Sequence, residues 1–421
     1  MLLRGESMDQ PTLKRISGWE SSFSHLRSHN LAYVDKTKYL EILENDGTCT
    51  PFIVRPRFFG KTFFTQTLLA YYDKSYAKDF DANFAGTYIA EHKTKLASSY
   101  RVLYLSLEAA APDNLKDHLV DSLRLALANF AQRNNLKGIF EFLNKEHLNA
   151  QSLLFDFLSF YRWNKIEGRI FLIVDSYDYM AKEAFTAGPD AVAAVKKAWR
   201  TLRSFFESIK SEFDHDPLAC IFIIGETAIS LDGMVSGYNI AWYYTGDSRF
   251  AGLFGFTEDE LRKLIEESVD LKRLNRSVED IVSFMKETFC VYRFSSRSDL
   301  AVFNPFTTCR FLKDLISFNK IPEFTRELTV SRDITKLRSI FSLIPKPYVK
   351  EIVSKALSKE ELYLGGRRVL GMEYHDFYGY SDVLEILTSM GYLTYAPKSS
   401  ELVIPGPQVT KLFEKIYEET K

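Results

Sequence analysis

Four short runs of unbroken apolar residues set the first rhythm of the chain: Phe52–Val54, Val102–Leu105, Ile170–Val174 and Cys220–Ile224. Between them the apolar positions change to helical spacing, as in Leu115–Arg133 and Ala191–Lys210. A strand wet on one face alternates apolar with polar; a strand without polar positions is covered on both faces. Strands of the second kind, separated by helices, predict a parallel sheet with helices on either side, an α/β fold. The sheet-bearing core is expected over residues 46–256, with residues 1–45 packing on it.

The pattern turns helical after that. Thr257 followed by Glu260 has the spacing of a capping box and predicts a helix from Leu261 onward, the start of a helical lid over residues 257–320. Residues 321–421 read as a helical, winged-helix-like region. Val383, Leu384, Leu387 and Met390 share one face of a helix over Ser381–Met390, which Gly391 closes. Tyr392–Tyr395 and Leu402–Ile404 form a hairpin across the polar turn Pro397–Ser400, and Gln408–Glu418 form a last helix.

Composition narrows the class. Of the 421 residues 46% are hydrophobic, enough for a large core, and the 34 Phe and 23 Tyr are expected mostly inside it. The formal net charge of −1 gives no global field toward nucleic acid or membrane. No apolar run is long enough to cross a bilayer, and residues 1–18 lack the apolar stretch of a secretory signal, so a cytoplasmic or otherwise intracellular location is expected. The four cysteines, Cys49, Cys220, Cys290 and Cys309, have no metal-binding spacing and read as buried thiols.

The chemistry concentrates at Arg55-Pro-Arg-Phe-Phe-Gly-Lys-Thr62, between the first apolar run and a helical pattern from Phe63 to Tyr72. Strand, turn, Gly-Lys-Thr and helix are the parts of a P-loop. The helix N-terminus would cradle phosphate on its amides, Lys61 would reach the terminal phosphates, and the Thr62 hydroxyl would take Mg²⁺. Gly60 shapes the turn; Arg55 and Arg57 flank it as further phosphate contacts. Asp175, at the carboxyl end of the third run, stands where an acid would hold Mg²⁺ through water; alone it reads better as a helix cap, and its pairing with Gly60-Lys61-Thr62 favours the Mg²⁺ role. Asp178 would orient water or an arginine. Thr227 or Glu226, after the fourth run, would sense the γ-phosphate or simply end a strand. Arg249 is a candidate arginine for the phosphates, with a surface role as the plainer reading. Residues Tyr33–Thr37 would seat a base or pack on the core, packing being preferred. His215, between two acids, reads as a solvated loop.

Several motifs in order resemble the AAA-ATPase-like family. They are Tyr33–Thr37, Arg55–Thr62, Asp175-Ser-Tyr-Asp178, Ser236-Gly-Tyr-Asn239, Leu253–Glu258, Asn304-Pro-Phe306, Gly391–Tyr395 and Ile404-Pro405. The resemblance implies an ATP- and Mg²⁺-binding P-loop core, and it makes Arg55 normal where other P-loops carry glycine. Two departures stand out. Phe58 replaces a second arginine, and Ser176 replaces the glutamate of the family's Asp-Glu-Tyr-Asp. Serine cannot act as a general base at neutral pH, and losing such a base costs about 10²–10⁴-fold in rate. The resemblance thus implies a nucleotide-dependent switch with slow or absent hydrolysis, unless Asp178 substitutes. Many members continue into a PD-(D/E)xK nuclease-like domain; this sequence stops at Lys421 without that motif, so nuclease activity in the chain is not expected.

The rival expectation is a pseudo-ATPase scaffold that binds a protein partner or DNA. Arg367, Arg368 and Lys398 around the hairpin are its candidate DNA contacts.

Overall fold

The computed structural model describes residues 13–17, 22–108, 115–143, 149–179, 191–213, 215–227, 240–322, 330–342, 344–364 and 380–421. The Ser236–Asn239 motif, Arg367 and Arg368 lie outside them.

All four apolar runs are strands: β1 (Pro51–Val54), β2 (Arg101–Ser106), β3 (Ile170–Asp175) and β4 (Leu218–Gly225). A short β5 (Trp242–Tyr243) joins them. Among the described residues these five form one parallel sheet in the order β2-β3-β4-β1-β5. Every residue of β1 and β3 is buried, as their lack of polar positions requires. The helices Lys61–Tyr72, Leu115–Arg133, Ala150–Trp163 and Ala191–Phe213 lie between the strands in sequence and supply the covering layers. Phe64, on the first of these, packs on Phe222 of β4 and edge-on to Phe254.

One consequence of the strand order matters for the site. β4 sits between β1, which feeds the Gly-Lys-Thr loop, and β3, which ends in Asp175. Val54 pairs with Gly225 and Asp175 pairs with Ile224, so the three strands end level with one another. Whatever follows β4 therefore emerges between the loop and Asp175.

A second apolar core is built by the helices Glu258–Ser268, Val278–Thr288 and Pro305–Phe318, through residues such as Leu261, Ile265, Ile281, Met285 and Phe311. The first of these starts with the expected capping box: Thr257 N–H donates to the Glu260 carboxylate at 2.8 Å, and Glu260 N–H donates to Thr257 Oγ1 at 3.3 Å. The N-terminal segment divides between the two cores. Phe23 and Tyr33 pack on the sheet side, whereas Ile16, Ala32 and Val34 pack on the lid.

Toward the C-terminus the helix Tyr380–Ser389, the hairpin β8 (Thr394–Tyr395) with β9 (Leu402–Val403), and the helix Pro407–Thr420 follow in the expected order. Gly391 closes the first helix at φ 84°, in the left-handed region. The described residues give this helix–hairpin–helix order and no more of a winged helix. A two-stranded ribbon, β6 (Val291–Tyr292) with β7 (Val302–Phe303), joins this region to the lid: Val291 N–H donates to Pro405 O at 2.9 Å. No helix among the described residues is long and apolar enough to cross a membrane.

The cysteines depart from expectation. Cys290 is buried but Cys49 is exposed, and Cys220 and Cys309 are half-buried. Cys49 and Cys220 meet where β1 and β4 begin, with Ile221 N–H donating to Cys49 O at 2.7 Å.

Candidate nucleotide site

The loop after β1 is held by aromatic rings on both sides. Phe58 adopts φ 69°, a conformation that a bulky residue takes only under constraint. The constraint is visible: its ring stacks on Phe306 at 4.6 Å, and the Arg57 guanidinium lies over it at 4.8 Å. Phe59 turns inward and meets Tyr292 and Phe294 edge-on. Gly60 follows at φ 86°, where only glycine is unstrained, and leads into the helix Lys61–Tyr72. The first bond of that helix runs from Phe64 N–H to Gly60 O at 3.0 Å. The amides of residues 61–63 precede it and have no partner within the helix, the arrangement that receives an anion.

Lys61 is buried and folded back over the loop. Its Nζ donates to Arg55 O at 3.0 Å and Pro56 O at 2.9 Å, and lies 3.8 Å from the Glu226 carboxylate. A cavity of about 510 Å³ opens in front of it. Its lining includes Gly60, Lys61, Thr62, Glu108, Ser176 and Glu226 together with the apolar or aromatic Ile16, Tyr33, Val34, Phe63 and Leu264. Tyr33 and Val34 therefore form a wall of the cavity besides packing on the cores. Lys36, also in the lining, ties the N-terminal segment to the helix Glu258–Ser268: its Nζ donates to both Glu260 oxygens, at 2.6 and 2.8 Å, and to Gly252 O. Burial lowers the Lys36 pKa, and the Glu260 carboxylate opposes that shift.

The two flanking arginines go separate ways. Arg57 is exposed and lines the cavity. Arg55, expected beside the phosphates, is turned into the protein. It donates to Val54 O and Thr245 O at 2.8 Å and to Phe250 O at 3.2 Å, with its guanidinium 4.5 Å from the Phe294 ring centre. Burial pushes its pKa down to about 9, so it remains a cation at neutral pH. It fastens the loop's base to the strand-β5 side of the sheet rather than lining the cavity.

Asp175 is buried behind the loop. Tyr104 OH donates to its Oδ2 at 2.6 Å and Thr65 Oγ1 at 3.2 Å. Burial, then the charge of Asp175, raises the Tyr104 pKa, which keeps that phenol a donor. Neither partner was foreseen from sequence, although both had signals. Thr65 lies one turn after Thr62, and Tyr104 is the polar-tipped member of the β2 run, diagonal to Asp175 across the β2–β3 pair. Ser176 Oγ reaches Asp175 Oδ1 at 3.4 Å. Asp175 Oδ1 keeps lone pairs beyond that contact, and the Thr62 hydroxyl stands on the neighbouring helix; both are hard oxygens of the kind that could hold a Mg²⁺ ion.

Asp178 and Thr227 are brought together, but with each other. The Asp178 carboxylate accepts from Glu226 N–H, Thr227 N–H and Thr227 Oγ1, the last two at 2.7 Å, and both residues are buried behind the cavity wall. A carboxylate so occupied braces the turn after β4, and Thr227 is part of the same brace. Gly225 permits the arrangement: a Cβ there would lie 2.4 Å from the Tyr177 ring and 2.5 Å from Asp178. Arg249 is engaged elsewhere, ion-paired with Asp46 and Asp247.

A second cavity, of about 360 Å³, lies on the other side of the Phe58–Phe306 stack. Arg57, Arg310 and Lys336 bring positive charge to it, Glu226 reaches it too, and Gly391 and Tyr392 form its C-terminal wall.

The strand, the glycine turn, the helix and the buried acid stand in the relation that the motifs implied. The family model described as predicted AAA-ATPase, AAA-ATPase-like, matches residues 20–235, just over half of the chain. The chain belongs to the AAA-ATPase-like family. The match spans the Gly-Lys-Thr loop, Asp175 and the turn after β4, so Gly60, Lys61, Thr62, Glu108, Ser176 and Glu226 of the first cavity all fall within the family region. A comparison with curated proteins gives no match.

Proposed function

We propose that the protein binds ATP with Mg²⁺ and uses the bound nucleotide to set the position of its lid and C-terminal region, hydrolysing it slowly. One observation carries the reading: the turn through Gly60 brings the helix N-terminus, Lys61 and Thr62 to the wall of a cavity that is also lined by apolar side chains. The Gly-Lys-Thr wall suits a polyphosphate; the slot between Tyr33, Val34, Phe63 and Leu264 suits a planar base. Thr62 would ligate Mg²⁺ directly and Asp175 through water. The slot's walls come from three parts of the chain, so occupancy would draw the N-terminal segment and lid onto the core. Slow turnover follows from Ser176, which leaves the usual position of the catalytic base without a basic group.

Calorimetry of Mg-ATP binding tests this, with Lys61→Ala as the control. Wild type is expected to bind and the variant to lose binding while keeping its circular dichroism spectrum. Equal affinity in both would sink the reading. Absence of binding by the wild type would favour a scaffold that works through a protein or DNA partner.

A further inference from the structure

We infer that Glu226 is the carboxylate that takes the proton from the attacking water, in place of the glutamate that Ser176 replaces. The inference rests on the site being an ATP site. Strand register fixes where Glu226 stands: Val54 of β1 and Asp175 of β3 pair with the last two residues of β4, so the next residue emerges between the loop and Asp175. There its carboxylate lines the cavity and comes within 3.8 Å of Lys61 Nζ, the group that would meet the terminal phosphates. Its main chain is fixed, because Asp178 holds the amides of both Glu226 and Thr227.

The neighbours are poorer candidates. Asp178 is occupied by three donors from residues 226 and 227. Ser176 has no useful basicity. Glu108 lines the same cavity, but it leaves β2, at the edge of the sheet two strands from β4. Glu226 leaves the strand directly beside the loop.

Pairing with Lys61 gives the carboxylate two states. Without nucleotide, the ammonium stabilises its charge and holds it unreactive. Once phosphate oxygens take over Lys61, the carboxylate loses its nearest cation, and its proton affinity rises. A water oxygen would then form its bond to the γ-phosphorus as the bond to the β–γ bridging oxygen breaks. ADP leaves with that electron pair, the water proton passes to Glu226, and from there to the released phosphate.

The test is Glu226→Gln, which keeps the shape and removes the base, with Mg-ATP affinity and phosphate release measured on the same samples. The rate is expected to fall by about 10²-fold or more. Affinity is expected to stay or to tighten, because the neutral amide no longer competes for Lys61. Release at the wild-type rate overturns the inference. So does a loss confined to KM with kcat intact, which would mark a structural role. Glu108→Gln is measured beside it, and loss of turnover there but not in Glu226→Gln also overturns it. Wild type that binds Mg-ATP yet releases no phosphate overturns this inference alone; wild type that does not bind overturns the ATP reading and this inference with it.

Discussion

Two arginines two positions apart, Arg55 and Arg57, have come to opposite uses, and the difference is one of burial. The buried Arg55 guanidinium donates to three carbonyls, Val54 O, Thr245 O and Phe250 O, and ties the loop's base to the segment after β5. Arg55→Ala should therefore lower stability by about 3 kcal/mol, read as a fall in the denaturant midpoint, before any question of ligand arises. Arg57→Ala should change stability by less than about 0.5 kcal/mol and weaken Mg-ATP binding instead. A pair of variants with the opposite pattern would exchange the two roles. The motif itself could not separate these residues, because a sequence shows spacing along a loop and not which side chain the loop turns inward. The same limit hid the pairing of Asp178 with Thr227. Each is plausible alone as a catalytic group, and only their 2.7 Å contact shows that they serve each other.

At the scale of elements, the strands were legible and their order was not. Unbroken apolar runs announced β1 to β4, because a strand covered on both faces has no room for alternation. The two-residue β5 and the β6–β7 ribbon were too short to leave a periodic trace. Placing β4 beside β1 also brings Cys49 next to Cys220, which 170 intervening residues conceal in the sequence. The neighbouring Cys220 thiol holds the Cys49 pKa down at about 6, while Cys220 itself, hydrogen-bonded to Tyr100 OH at 3.9 Å, is pushed up. Below its ordinary value near 8.5, an exposed thiol is already largely thiolate at pH 7. Cys49 should thus be alkylated by iodoacetamide at a rate that has reached its plateau by pH 7. In Cys220→Ala the rate at pH 7 should fall and climb through about pH 8.5. Mass spectrometry of the modified peptide follows both; identical pH profiles would refute the pairing.

Across the whole molecule, the phosphate loop is a meeting place of distant segments. Phe306 from the lid stacks on Phe58, Asn304 donates to Arg57 O at 3.2 Å, and Gly391 lies so close to Pro56 that a Cβ would meet the proline ring at 3.0 Å. Gly391→Val adds bulk at that contact and strains a left-handed backbone, so it should loosen the C-terminal region from the loop. Hydrogen exchange should report faster opening of residues 391–395 in this variant, with the amides of β3 unchanged. In the wild type, Mg-ATP should slow exchange at the same residues, and in Lys61→Ala it should not. Uniform behaviour across both regions would mean that the loop and the C-terminal region are not coupled. The resting grip on Lys61 has a further consequence, for selectivity among anions. With its ammonium shared between two carbonyls and a carboxylate, Lys61 would offer little to a lone chloride or inorganic phosphate. On the proposed reading, a ligand with several linked phosphates would replace those partners together, and binding should discriminate against the commonest small anions.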